Sequence, residues 1–442
     1  MLMTEKIFEA SKKFQKEMDK ETRDEIKKRI VDSIIVAYTA RDAEPVKISR
    51  RAFSSSRGRY NSTIYFTKRK AAVDVATFIN GCMVRYQDYN DTYLSKEALH
   101  PSDNIPPILS LAEAMEFEGE RILGAINVAY QVVGALADAV SIRERGWDHV
   151  TYISISSAAA IASLLDLEKE QFTHTISLGL NNNISMRQTR AGELSMWKGC
   201  TAANASRNSV FAVLLAKEGF TGPGPIFEGE MGFFKQVSGE FDLDFNTNRV
   251  LKTMIKNYPV EYHAMSAVEA AEKIRKKMSG EIKSIDVDTF SVAYKIIVKD
   301  PEKFSPKTKE TADHSMPYLI AYTLLYGEPT TESYTSRYLK DPRILYLMQN
   351  MMFKVREDYD KMYPENLPVR ISVKTTSGIF EEELFVPKGH YKNPYTWDDL
   401  KEKGLRNGFP EDELNSLIEI GKGFETRDMG DILEVVRNVN SP

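Results

Sequence analysis

Residues Tyr86–Asp103 read YQDYNDTYLSKEALHPSD. The run sets Asp88, Asp91, Thr92, Lys96, Glu97, His100 and Asp103 between two segments of helical pattern. A connection between helices needs only a few polar residues, commonly with Gly or Ser. This one carries more acid–base chemistry than a turn requires. Two readings stand side by side: one wall of an active site for a small polycarboxylate, or a solvated loop that ends in a helix cap.

The segment before it, from Lys70 to about Tyr86, is apolar almost all round, with Ala72, Val75, Ala76, Ile79, Cys82 and Met83 on one side and Val73 and Val84 on another. Such a helix belongs in an interior. If it runs on, Asp88, Asp91 and Thr92 share one face at its C-terminal end. After His100 come PSDNIPP and ILSLAEAMEF. Prolines in a first helical turn lose no internal hydrogen bond, and Asp103 or Asn104 is a natural N-cap. His100 thus stands at a helix mouth, where unpaired N–H groups and the helix dipole favour an anion. His149 before YISISSAAAIASLL and Lys198 in SMWKGCTAANASRNSVFAVLLA repeat that placement. Three proton-bearing groups at helix mouths suit several carboxylates in one place.

The chain has 442 residues, too many for one ordinary core, so two domains are expected. Its hydrophobic share of 42% and charged share of 28% are those of a soluble globular protein. A net charge of −4 gives no electrostatic case for nucleic acid or membrane. MLMTEKIFEA lacks the pattern of a signal peptide, and no apolar run is read as a bilayer span; a cytoplasmic location is expected. The two cysteines, Cys82 and Cys200, lie in apolar helical segments and read as small buried hydrophobes. Two thiols are too few to hold a [4Fe–4S] cluster, and no zinc spacing occurs, so catalysis without metal or cofactor is expected.

The remaining pattern is mainly α. Residues 4–41 read as two charged amphipathic helices, 42–68 as connection, and 120–142 as a buried helix rich in Ala and Val. From residue 266 the texture changes. A helix at 266–279 precedes an alternating strand at 282–290, helices near 313–326 and 342–352, and a hairpin at 369–386 turning at Ser377-Gly378. The expected architecture is a large all-helical domain, residues 1–265 plus 391–442, with a smaller inserted α+β lid domain at 266–390.

The residues able to carry chemistry also have plainer roles. Asp91-Thr92 can be a helix stop, His100 can bond the turn that follows, and His149 can be a half-buried loop histidine. Lys198, between Trp197 and Gly199, either snorkels or is held for use. Arg187 and Arg190 lie in a basic loop, while Lys256, His263, His314 and Tyr318 flank turns before helices and can serve as caps and packing.

RYQDYNDTY…HPSDNIPPILSLAEA, HVTYISISSAAA, RQTRAGELSMWKGCTAANASRN, TGPGPIFEG, IKNYPVEYHAMSAVEAA and DHSMPYLIAYTLL, in this order, resemble the MmgE/PrpD family of 2-methylcitrate dehydratases. Relatives in that family include cis-aconitate decarboxylase and iminodisuccinate epimerase. The resemblance implies a homodimer and metal-free removal of water from 2-methylcitrate, with citrate and isocitrate as further substrates. It implies active-site roles for Asp88, Thr92, His100, His149, Lys198 and Lys256, with His314 and Tyr318 from the lid domain. Asp88, Thr92, His100, His149 and Lys198 are expected to be catalytic, and Lys256, His314 and Tyr318, with Arg187 and Arg190 of the basic loop, to bind substrate. One carboxylate or histidine must take a proton from carbon and another group must protonate the departing hydroxyl. Asp88 or His149 is the expected base and His100 the expected acid, with Lys198 and Lys256 clamping carboxylates. Decarboxylation of cis-aconitate is the alternative. YLSKEAL before HPS is longer than in the decarboxylases and lacks their extra histidine, which favours dehydration. On this reading Lys96 and Glu97 are the solvated part of the loop.

Overall fold

The computed structural model describes residues 1–192 and 194–439. It is 58% helical and 9% strand, a mainly α fold. The chain divides into two compact units: unit 1 is Met1–Gly192, Met196–Ile255 and the chain from Thr396 onward, and unit 2 comprises residues 194–195 and Lys256–Tyr395. The boundaries therefore fall at 255/256 and 395/396 rather than at 265/266 and 390/391.

Unit 1 opens with α1 (Met3–Lys16), α2 (Lys20–Thr39) and α3 (Glu44–Ala52), then a short antiparallel pair, β1 (Asn61–Thr63) and β2 (Lys70–Ala72). Six helices follow: α4 (Val73–Arg85), α5 (Ile105–Met115), α6 (Gly119–Ala139), α7 (Val150–Leu164), α8 (Lys169–Asn181) and α9 (Thr201–Lys217). The region read as connection, 42–68, thus holds α3 and β1, and the start of the segment read as a helix from Lys70 is β2, with α4 beginning at Val73. Pro45 in the first turn of α3 fits its fixed φ to a helix start, and Val46 and Ser49 are buried. Helix α6 is long and apolar enough to cross a membrane, contrary to the reading of the sequence, but 89% of its apolar window is buried among its neighbours. It is a core helix, packed on α1 and α7. The charged face of α2 is also interior: Lys27, Lys28 and Arg29 are buried. Lys27 donates to the Lys422 carbonyl and pairs with Glu425, and Lys28 pairs with Asp24 and Glu25.

Helices α4 and α9 touch almost backbone to backbone. A Cβ on Gly81 would stand 2.8 Å from that of Ala203. Cys82 and Cys200 are buried free thiols at this contact. Burial, and then the Cys200 thiol beside it, push the Cys82 thiol up.

Unit 2 is built on α10 (Met265–Lys277) and a sheet. Along the chain come β3 (Ile282–Thr289), α11 (Ser291–Ile297), α12 (Lys309–Ala312), α13 (Met316–Tyr326), α14 (Ser336–Leu339), α15 (Pro342–Gln349), β4 (Met351–Val355), α16 (Glu357–Asp360), β5 (Val369–Thr375) and β6 (Gly378–Leu384). The strand order is β4-β3-β5-β6, with β3–β4 parallel and the other pairs antiparallel. Alternation puts Val369, Ile371, Val373 and Thr375 of β5 inward, and α10 covers the β5–β6 hairpin. The tail, α17 (Trp397–Arg406), α18 (Glu411–Lys422) and α19 (Met429–Asn438), belongs to unit 1, where α17 and α18 pack on α2.

Glu97 overturns its reading as solvated. It is 2% exposed, and its Oε1 accepts from Ser141 Oγ at 2.7 Å, Ile142 N at 2.9 Å and Arg143 N at 2.8 Å. The carboxylate thus gathers the donors that follow the end of α6. Glu97→Ala should lower unfolding free energy by about 2–3 kcal/mol, since it strands buried N–H groups. Glu97→Gln keeps an oxygen in the same place and should lose less than half of that in urea titrations.

Candidate active site

Helix α4 stops at Arg85, before the carboxylates, because the chain turns sharply there. Asp88 takes a left-handed backbone, φ 52°, so Asp88, Asp91 and Thr92 do not share a helical face. Asp tolerates this region better than most residues, and here its carboxylate is fixed from two sides. Arg85 Nη1 donates to Oδ1 at 2.9 Å and Lys198 Nζ to Oδ2 at 3.2 Å. All three side chains are almost fully buried. Lys198 lies in the 3₁₀ turn Met196–Gly199. Gly199 makes that placement possible: a Cβ there would meet Tyr86 Cα at 3.0 Å and Cδ2 at 2.7 Å.

His100 opens the 3₁₀ turn Pro101–Asn104 that leads into α5. Its Nδ1 lies 2.7 Å from the Asp91 carbonyl oxygen and 3.2 Å from Thr92 Oγ1. A carbonyl only accepts, so Nδ1 carries the proton and Nε2 is the variable nitrogen. Nε2 is 3.8 Å from Asp88 Oδ1, so a proton there would face a carboxylate. Asn104 occupies the N-cap position of α5, but its side chain makes no capping bond there. Asn104 Oδ1 accepts from the hydroxyls of Ser156 and Ser157, and Asp103 Oδ1 accepts from Asn90. Burial pushes Asp103 up to about 7, with Arg85 opposing.

His149 precedes α7, and its ring centroid lies 6.1 Å from that of His100. Its Nδ1 is 3.3 Å from Asp148 Oδ1, while its buried Nε2 has no hydrogen-bond partner. Arg190 Nε lies 2.8 Å from Asp148 Oδ2. Burial alone would raise the Asp148 carboxyl, but the charge of Arg190 holds it below its ordinary value. Burial first, then the charge of Arg190, lower His149 to about 3; Arg85 and Arg187 act in the same sense. The imidazole is therefore neutral at physiological pH, with a bare nitrogen available as a base. Burial and the nearby Arg143 lower Arg187 too. Among the described residues the Arg187 guanidinium makes no hydrogen bond or ion pair.

A stability signature follows. The folded value of His149 lies below the ordinary 6.5, so acid protonates the unfolded chain first. This group's contribution is whole above pH 6.5 and drains as the pH falls toward 3. By pH 5 the loss should be about 2 kcal/mol. His149→Gln should flatten that part of the acid limb in urea titrations between pH 7 and 4.

In unit 2, Lys256 is buried and its Nζ donates to the Val260 carbonyl at 3.0 Å. His314 Nδ1 pairs with Asp313 Oδ1, and Lys309 Nζ is 3.0 Å from Asp313 Oδ2. Tyr318 donates its hydroxyl proton to the Ser333 carbonyl, and its ring stacks on Tyr322. That proton is committed to the fold. His263 Nδ1 is 2.7 Å from Glu261 Oε1, and its Nε2 is 3.2 Å from the Tyr363 hydroxyl. Burial would raise Glu261, but the charges of His263, His314 and Lys256 outweigh it and hold the carboxyl low.

Unit 1 thus brings Asp88, Thr92, His100, His149, Lys198 and Arg190 into one cluster, with Arg187 at its edge. In unit 2 the His314 ring pairs with Asp313 and the buried Lys256 donates to the Val260 carbonyl. Sequence reading passed over Arg85, hidden in an apolar run three residues before Asp88, and Asp148, overshadowed by the histidine beside it. The spacing Arg85–Asp88 is the one signal that pointed to the first.

Comparison with known proteins agrees across both units. The MmgE/PrpD N-terminal domain matches residues 10–246 and the MmgE/PrpD C-terminal domain residues 258–411. The chain is 30% identical over 374 residues to the mitochondrial 2-methylcitrate dehydratase of Yarrowia lipolytica, covering 76% of this chain and 71% of that protein. It is 28% identical over 389 residues to the 2-methylcitrate dehydratase of Escherichia coli, covering 81% and 78%. To alkylcitrate dehydratase phiI of a fungal species it is 28% identical over 365 residues, covering 75% and 72%.

Proposed function

The chain belongs to the MmgE/PrpD family, and from that membership we propose that it is a hydro-lyase removing water from 2-methylcitrate to give 2-methyl-cis-aconitate. The observation that carries this reading is the set of cations, Arg85, Arg187, Arg190 and Lys198, around two histidines in unlike settings. A tricarboxylate is the kind of small anion whose several charges such a cationic set would meet. In the proposed mechanism His149, neutral with a bare Nε2, takes the proton from the carbon next to a carboxylate. Charge spreading onto that carboxylate is met by Lys198 and the arginines. His100, protonated on Nε2 and steadied by Asp88, gives its proton to the departing hydroxyl. This assigns the base to His149 rather than Asp88, whose carboxylate is already held by Arg85 and Lys198.

Lys256 and His314 complete the proposal as substrate contacts. Tyr318 is left with a packing role. A homodimer and a cytoplasmic location belong to it as well, to be checked by light scattering and cell fractionation. One methyl group in a pocket is worth only ~1–3 kcal/mol, so citrate and isocitrate are expected as poorer substrates. The test is a panel of 2-methylcitrate, citrate and cis-aconitate, with products identified by mass. Loss of water from the first without release of carbon dioxide from the third supports the proposal; carbon dioxide from cis-aconitate would point to decarboxylation instead.

A further inference from the structure

The Asp91 carboxylate touches no proton-transfer group directly, yet it is fully buried and tied on every side. Its Oδ1 accepts the Ser102 N–H at 2.8 Å, and its Oδ2 accepts the Tyr130 hydroxyl at 2.6 Å. Arg29 Nε lies 3.9 Å from Oδ2. The same residue's main-chain oxygen receives the His100 Nδ1 proton at 2.7 Å. Asp91 therefore pins the residue two places after His100 with its side chain and the imidazole itself with its backbone.

A second set of bonds closes the circuit. Thr92 exchanges both main-chain hydrogen bonds with Met254 at 2.8 Å, and Arg29 Nη2 donates to the carbonyls of Thr253 at 2.6 Å and Val250 at 3.3 Å. One guanidinium thus faces Asp91 and also holds the strand of chain on which Thr92 is anchored. The peptide that presents its oxygen to His100 is braced from both sides.

We propose that Asp91, braced by Arg29 and Tyr130, is a positioning residue that fixes the His100 tautomer with Nδ1 protonated and Nε2 turned toward Asp88. The catalytic part of this inference rests on the proposed dehydration; the tautomer does not. A His100 ring free to turn, or protonated on Nε2 in its neutral form, would present the wrong nitrogen to Asp88. Asp91 removes that choice without contacting the reacting atoms.

The test uses the full chain labelled with ¹⁵N-histidine. The chain has only six histidines, and His100→Gln identifies the His100 signals by their loss. Wild-type protein should show His100 protonated on Nδ1 in its neutral form. Asp91→Asn should move the His100 nitrogens toward a mixture of tautomers. It should lower kcat by about tenfold to a hundredfold with KM within about twofold, the scale of a misplaced catalytic group. Tyr130→Phe removes one bond to the carboxylate while keeping its charge and shape, and should move both readouts the same way by a smaller factor. It decides the matter if Asp91→Asn does not fold. Unchanged His100 nitrogens and kcat in Tyr130→Phe, with only a lower Tm, would overturn the proposal. Should wild-type protein fail to dehydrate any tricarboxylate, the functional reading falls and the nitrogen shifts still decide the positioning claim.

Discussion

Lys198→Met should lower kcat for dehydration by about a hundredfold to a thousandfold, the usual scale for losing one preorganised group that meets developing charge. The ammonium is buried and bonded to Asp88 at 3.2 Å, so in the proposed mechanism it is held in place before substrate binds. Methionine fills the same channel without charge. Asp88 keeps Arg85 at 2.9 Å, so the local fold should survive and Tm should stay within a few degrees. Loss confined to KM would mean that Lys198 only holds the ground-state substrate. Steady-state kinetics of the variant, with a thermal melt as control, separate these outcomes. A variant that keeps more than a tenth of wild-type kcat contradicts the assignment.

His149→Gln should reduce kcat by about 10²- to 10⁴-fold, the range for removing a general base. Glutamine retains a side-chain amide able to face Asp148 but offers no basic nitrogen where Nε2 now stands without a partner. The companion variant Asp88→Asn separates the two candidate bases. It leaves an imidazole base intact and disturbs the pairing of Arg85, Lys198 and His100. Exchange of the substrate carbon-bound hydrogen with deuterated solvent reads proton removal alone, before water departs. It should vanish in His149→Gln and persist in Asp88→Asn. The opposite pattern would return the base to Asp88.

What could be read ahead of the structure divides by the range of the interactions involved. Helices such as α4, α6 and α7 are written in local apolar pattern, and the hairpin β5–β6 in strict alternation around a short turn. The loop 86–103 is another matter. Its histidine and aspartates were visible as an excess of chemistry, but its course is set by partners far along the chain. Asp88 adopts φ 52° while bonded to Lys198, a residue 110 positions away, which no local helical spacing foretells. Glu97 was misread for the same reason: the donors it gathers lie 44 to 46 residues on. Arg29 and Tyr130 were read as parts of amphipathic and buried helices, and only folding brings them to Asp91.

The two histidines sit in unlike settings because of the charges beside them. Guanidiniums surround His149, and a carboxylate faces His100. In the proposed mechanism these unlike settings suit two like side chains to opposite tasks, one accepting a proton and the other supplying it.

The most direct test of the account is to mix the purified chain, treated with EDTA, with 2-methylcitrate and follow the ultraviolet absorbance of the conjugated alkene while the product is identified by mass. The account predicts rising absorbance, a product lighter by one water, and the same rate with and without EDTA. No alkene from 2-methylcitrate under any of these conditions would contradict it.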